Sequence, residues 1–443
     1  MPLAERWLHQ LVMIGFAVFN PLFLPFGLFW SHLLAPVSLL YVAKWSWFGI
    51  KWLYGLTLLL VIYSTLILSE RDVHFQDYLV GLLVLLAGVV FATYVYYLIA
   101  YRLRNVRRLF FLVLKFYTAL LAFGLLMLVA DQEDCCWIPA DFGDFPRLQL
   151  AFYEPSHLAF VAVPFVLYGA LVLIETKGRC GGWPVFAGVF LLVMTQSLSV
   201  FGLFVPALVI AAAPRLLKAL TNFRVLFVAV GLVIFLALSP SGIETRLQAL
   251  TQVGDHSGQV RVFYSTLTAV DLVQDQHAWL LGVGIGQPKY YVEYYASAYS
   301  GYASNRLPNA VASTIAAVGF AGLTVKWLIL LFLAMRTRVF SDDYGRGLFI
   351  FTFLYQFVGG YFNNVNEFVL FGIAFGHGMK RRLEDSRSTD RQGPEIASRF
   401  WWQQPEFGDG QNTGYLDHDF APESNGAQGL ASVDRDGSVL LDR

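Results

Sequence analysis

The sequence predicts an all-α polytopic integral membrane protein of about 12 transmembrane helices, with one long extracytoplasmic loop between the ninth and tenth. Three observations predict it. Of the 443 residues, 57% are hydrophobic and 14% charged, against roughly 45–50% and about 25% in soluble domains. A mean hydropathy of +0.56 with 16% aromatics is too apolar for one core and too widely spread for a single anchor. Lysine and arginine also gather on alternate loops, the asymmetry that sets membrane orientation.

A span needs about 20 apolar residues, and the apolar stretches fall into order along the chain. The first runs over 11–30, preceded by Arg6 and followed by no small-residue cleavage site, and reads as a retained span. Stretches over 32–43, 52–69, 78–100, 109–130 and 156–174 follow. Two short ones at 184–198 and 199–213 form a pair, and the ninth covers 224–239. After the long loop come 309–335, 346–361 and 366–380.

The cation-rich loops carry Arg6; Lys44 and Lys51; Arg102, Arg104, Arg107 and Arg108; Lys177 and Arg179; Arg215, Lys218 and Arg224; Arg336, Arg338 and Arg346; and Lys380, Arg381 and Arg382. These loops are expected in the cytoplasm, with both termini. The opposite set has only Arg71, Arg147, Arg246, Arg261, Lys289 and Arg306. Lys115 and Lys326 lie inside apolar stretches, where their stems are expected to snorkel to an interface.

Residues 1–383 thus form the membrane domain, with an outer loop over about 240–308. The remainder, 384–443, is rich in Gly, Asp, Ser and Gln, cannot bury enough surface to fold, and is expected as a disordered cytoplasmic tail. The 31 basic and 31 acidic residues balance, so charge gives no reason to expect a nucleic-acid partner. The three cysteines show no ligand spacing, and His256 and His277 stand singly; no metal site and no cofactor are expected.

Residues able to carry chemistry fall in three places on the outer side. At the start of the sixth span the chain reads Arg147-Leu-Gln-Leu-Ala-Phe-Tyr-Glu154-Pro155-Ser156-His157. Pro155 suits a first helical position and Glu154 suits the positive helix end, so a helix start explains both. The functional alternative is that carboxylate and guanidinium together activate a hydroxyl and hold a phosphate. The long loop adds Arg261-Val-Phe-Tyr264 at the head of an amphipathic run, where Arg261 is either a solvated or headgroup-facing charge or a ligand for an anion. Gly282, Gly284 and Gly286 follow. Gln287 and the lack of a strand-and-helix nucleotide unit argue against a phosphate cradle, so they are expected to form a turn that brings backbone close to another segment. The tyrosines at 290, 291, 294, 295, 299 and 302 suit sugar stacking and an interfacial belt equally. At Arg306-Leu-Pro308-Asn309, Asn309 is either a helix cap or a substrate contact, and Gly319 and Gly322 are expected to permit close helix packing.

Taken in order, Phe152-Tyr-Glu154-Pro-Ser-His157-Leu-Ala, the Thr195-Gln-Ser197-Leu-Ser199 turn, Arg261, Leu281-Gly-Val-Gly-Ile-Gly286 and Asn309 before Val318-Gly319 resemble the O-antigen ligase and polymerase family of membrane enzymes. The resemblance covers about residues 140–325. Pro308 stands where the ligase branch has a histidine, so the chain is more similar to the polymerase branch. The spaced Arg-to-Gly repeats of some polymerases are not matched, since Leu158 stands eleven residues after Arg147.

The resemblance implies a metal-independent glycosyltransferase of a bacterial inner membrane that polymerises a surface or secreted polysaccharide from a polyprenyl diphosphate-linked glycan. Arg147, Arg261 and Arg306 are then expected on the diphosphate, Glu154 as general base with His157 as its fallback, and Tyr264 and Asn309 on the glycan. Membrane lipids, a chain-length regulator and a flippase are the implied partners. An O-antigen ligase and, in another class, a lipid-glycan transporter or flippase are the alternatives. A transporter calls for internal repeats, broken helices and embedded charges; the sequence shows no repeat and few such charges.

Overall fold

A computed structural model describes residues 3–20, 29–130, 136–138, 146–150, 152, 154–176, 182–220, 259–300 and 306–390. The expected ninth span, the first part of the long loop and nearly all of the expected tail lie outside the described residues. Those described form an all-α membrane protein: thirteen helices and one two-stranded antiparallel ladder, β1 (Trp137–Ile138) with β2 (Arg147–Leu148).

The helices are α1 (Leu3–Phe19), α2 (Trp30–Trp45), α3 (Trp47–Glu70), α4 (Phe75–Tyr97), α5 (Val106–Val129), α6 (Pro155–Glu175), α7 (Gly182–Met194), α8 (Leu198–Leu220), α9 (Ser265–Asp275), α10 (Val292–Ser300), α11 (Ala310–Thr337), α12 (Asp343–Tyr355) and α13 (Val365–Asp390). The expected first span ends early, because α1 stops at Phe19 and a new helix begins at Trp30. The final helix runs to Asp390, so the expected tail begins with a stretch that is helical rather than disordered.

Among the described residues five helical stretches, α11 counted end to end, are long and apolar enough to cross a membrane, and burial sorts them into wall and centre. The apolar window of α3 is only 6% buried, while that of α6 is 83% buried. Leu58, Val61 and Ile62 of α3 face outward, whereas Phe160, Phe165 and Leu167 of α6 are sealed in the main core. The ends are set by side chains: Ser46 caps α3 through Gly49 N at 3.0 Å, Asn105 caps α5 through Arg108 N at 2.9 Å, and Asp342 caps α12 through Gly345 N at 2.7 Å. Carbonyls at helix ends on the cation-rich side are taken up by the cations themselves, as where Arg382 donates to Arg336 O at 2.6 Å. That arrangement complements the helix dipole.

The expected tenth span is not one helix. Gly319 sits inside α11 at φ 69°, ψ −176°, a left-handed conformation that a residue with a β-carbon rarely adopts. Val311 N donates to Gln356 O at 3.2 Å, and Trp327 Nε1 reaches Gln356 Oε1 at 3.3 Å. Residues that far apart in an unbroken helix would stand about 24 Å from each other. The chain therefore folds back at Gly319 into two limbs, 310–318 and 320–337.

The break exposes backbone groups that cannot stay unpaired in an apolar surrounding, at several kcal/mol each by order of magnitude. The glycine-rich segment pairs them. Val283 N and Gly284 N donate to Ala316 O and Ala317 O at 2.8 and 3.0 Å, and Phe320 N and Ala321 N donate to Trp279 O and Leu280 O at 2.9 and 3.3 Å. Tyr63 of α3 adds its hydroxyl to Ala317 O at 2.8 Å and to Leu281 O at 3.0 Å. A β-carbon on Gly282 would overlap the backbone of Ala317, and one on Gly286 the carbonyl of Asp77. The expected close approach of backbone at these glycines is what the structure contains. Gly319, expected to permit close helix packing, is instead the break, and a β-carbon on Gly322 would overlap Val318 of the preceding turn.

Candidate functional site

Two helices deliver the site's charges, one from each side. Glu154 is the N-cap residue of α6, extended at φ −140°, ψ 147°, and Pro155 takes the first helical position as expected. Its carboxylate makes no capping hydrogen bond. Instead Glu154 Oε2 accepts the Ser156 hydroxyl at 3.0 Å, so helix starting does not occupy the carboxylate.

Arg261 arrives on a π turn, Val260–Tyr264, that leads into α9. The extra residue of a π turn rotates side chains relative to the helix that follows, and such turns recur at functional sites. At its far end this element is tied to the α3–α4 connection, where Arg71 donates to Gln276 O at 3.1 Å. Arg261 thus lies roughly 20 Å from that connection, at the helical rise of about 1.5 Å per residue.

Asn309 joins the two halves. Its Oδ1 accepts from Ala312 N at 2.6 Å, capping the first limb of α11, and its Nδ2 donates to the Arg261 carbonyl at 2.6 Å. It is 1% exposed. The cap expectation for Asn309 therefore holds, and its side-chain amide is spent on protein rather than on a ligand.

The charges converge. Glu154 and Arg261 are the charged neighbours of His157. Tyr361 has Glu154, Arg306 and Arg261 around it and hydrogen-bonds the Arg306 side chain. Tyr355, buried and stacked on Phe160 with ring centroids 4.2 Å apart, has Arg261, Glu154, Tyr361 and Glu367 as its neighbours. Glu154, Arg261 and Arg306 are therefore charged neighbours of Tyr361, and His157 has the first two as its own charged neighbours. Such a cluster pairs a hydroxyl-activating carboxylate with two guanidiniums able to grip an anion.

The remaining predicted residues have partners of their own. Arg147, on β2, donates from Nε to Thr195 O at 3.4 Å, in the turn between α7 and α8. Tyr264 turns its hydroxyl to Gln259 Oε1 in its own π turn at 3.4 Å. Of the loop tyrosines, Tyr290 donates to the Asp77 carboxylate and stacks on His74 at 3.9 Å, while Tyr291 and Tyr295 pack on a buried apolar cluster. Lys289 pairs with Asp77 at 2.8 Å, and that hydrogen bond raises its pKa. These contacts fasten the loop to the start of α4.

Tyr355, Tyr361 and Glu367 were not singled out in the sequence, because 346–361 and 366–380 read as spans. The available signals were the Gly359-Gly360 and Asn363-Asn364 pairs, which mark a turn. That turn packs at Gly88, where a β-carbon would stand 3.6 Å from Val365 Cα, roughly 20 Å from the Phe75 end of α4. Lys326 also differs from expectation. Its ammonium does not snorkel but pairs with Glu367 at 2.9 Å, the two side chains being 12% and 2% exposed.

The chain matches no family model, and no curated protein is significantly similar to it.

Proposed function

We propose that this protein polymerises a bacterial surface or secreted polysaccharide, using a polyprenyl diphosphate-linked glycan as donor and a sugar hydroxyl as acceptor, at the outer face of the inner membrane. The observation that carries the reading is the convergence of Glu154, Arg261 and Arg306 around Tyr361. Glu154 takes the proton of the acceptor hydroxyl, whose oxygen bonds to the anomeric carbon. The bond from that carbon to the diphosphate breaks, and its electron pair leaves on the lipid diphosphate. Negative charge grows on the leaving oxygen, and fixed guanidiniums stabilise it. Arg261 and Arg306 fill that role, with Arg147, whose Nε donates to Thr195 O, as the third cation. His157 is the fallback base, and sequence resemblance to O-antigen polymerases supports the same assignment. In this reading about twelve spans cross the membrane, both termini are cytoplasmic and 240–308 opens to the outside.

A transporter reading draws on two observations, the broken α11 and the buried Lys326–Glu367 pair. Against it, the break is sealed by backbone hydrogen bonds from 279–284, and the ion pair lies beside the cluster instead of along a separate path. Deleting the gene and sizing the surface polysaccharide separates the readings. A polymerase leaves single repeat units on the surface lipid; a ligase leaves full polymer on its carrier; a flippase leaves nothing outside.

A further inference from the structure

Burying two opposite charges in an apolar interior costs several kcal/mol per ion by order of magnitude, and their attraction only partly offsets it. Ion pairs of this kind within membrane segments are functional candidates by default. Lys326 and Glu367 are such a pair, and beyond each other neither charged group has a hydrogen-bond partner among the described residues. Apolar side chains of the same size would give comparable stability but no directional contact, so stability does not explain why charges stand there.

Their surroundings do. Glu367 Oε2 lies 3.6 Å from where a β-carbon of Gly360 would stand, and Gly360 itself is at φ 82°. The next residue is Tyr361, which holds Arg306. One residue after Lys326, Trp327 donates to Gln356 Oε1. On the other limb of α11, Ala310 N and Val311 N donate to Gly359 O and Gln356 O at 3.1 and 3.2 Å. Turn 356–361 is thus suspended between both limbs of α11, and the ion pair ties the second of those limbs to α13 beside Gly360.

We infer that Lys326 and Glu367 are positioning residues for the diphosphate clamp, fixing the turn that aims Tyr361 at Arg306 while Asn309 holds Arg261. The inference rests on the proposed function, since it takes the clamp's ligand to be a lipid diphosphate. It makes the spacing of the two guanidiniums depend on a charge pair that touches no substrate.

The test is binding, which needs no turnover. Full-length protein in nanodiscs is titrated with undecaprenyl diphosphate, with undecaprenyl monophosphate as the reference. The variant is the apolar pair K326M/E367L, which removes both buried charges together and is expected to accumulate like the wild type. Wild type should prefer the diphosphate, and the variant should bind it about tenfold more weakly at unchanged melting temperature. Equal affinity in the variant overturns the inference and leaves the proposed function standing. No preference for diphosphate in the wild type overturns the proposed function itself. Should K326M/E367L fail to accumulate, the reversed pair K326E/E367K takes its place, because it keeps the tie: binding within about threefold of wild type supports the inference, and a tenfold loss overturns it.

Discussion

At the residue scale the decisive question is what Glu154 does with a carboxylate that caps nothing. A charge that merely favoured the start of α6 would contribute about 0.3–1 kcal/mol, and Glu154→Gln would leave polymer output nearly intact. As the general base its amide replacement cannot take the acceptor's proton, so output should fall roughly 10²–10⁴-fold with the protein still in the membrane. His157→Ala is the comparison, because Pro155 and the helix start remain. Polymer lost in His157→Ala and kept in Glu154→Gln transfers the base to the imidazole; polymer kept in both reduces the motif to a helix start.

Asn309 allows a sharper substitution at the same scale. Asn309→Asp retains an oxygen for Ala312 N but has nothing to donate to the Arg261 carbonyl. The cap is preserved and the tie to the π turn is lost. Both should lose thermal stability, Asn309→Ala by roughly 0.5–2 kcal/mol for the lost cap and Asn309→Asp by burying a carboxylate against the Arg261 carbonyl, and polymer output should fall in both. Full output from Asn309→Asp would show that Arg261 does not depend on this tie.

Among the elements, α11 is where structure and sequence part. A run of apolar residues from 309 to 335 has the composition of a span, and composition carries no record of a fold-back. Gly319 alone marked the place, and a glycine inside a helix is compatible with close packing, with a kink or with a break. What decides is the partner, Leu280–Gly284, which lies far away in sequence. The glycines of that partner were legible as a close approach, although the segment approached was not. Gly319→Ala should lower stability by at least about 1–2 kcal/mol from the left-handed backbone alone, and more from overlap with the Leu280 carbonyl. Gly202→Ala in α8, with open space around it, should be neutral or slightly stabilising. Equal melting temperatures for the two variants in detergent would contradict the fold-back.

The candidate site was half legible for a related reason. Glu154, His157, Arg261 and Arg306 are polar residues at the edges of apolar stretches, where charge stands out. Tyr355, Tyr361 and Glu367 were hidden because an aromatic or a lone acid near a span end resembles interfacial belt or solvated face. Lys326 looked like a snorkelling cation, since its counter-ion sits on another helix.

For the whole molecule, orientation governs every assignment. The proposed orientation, drawn from the cation asymmetry, expects Ser257 outside and Ser388 inside, and labelling Ser257→Cys and Ser388→Cys in intact spheroplasts with an impermeant thiol reagent reads this directly. Ser257→Cys should react and Ser388→Cys should not. The reverse pattern would put the Glu154–Arg261–Arg306 cluster on the cytoplasmic side, away from any lipid-linked glycan awaiting polymerisation.

The most direct test of that cluster as an active site is reconstitution of the purified protein in liposomes with a polyprenyl diphosphate-linked repeat unit. Wild type should build a ladder of longer glycans and release polyprenyl diphosphate in step with it. Arg261→Lys should lose most of both, because an ammonium cannot reproduce the planar fork that guanidinium offers a diphosphate. A ladder of full length from both Arg261→Lys and Arg261→Ala, or no ladder and no released diphosphate from the wild type, would contradict the account.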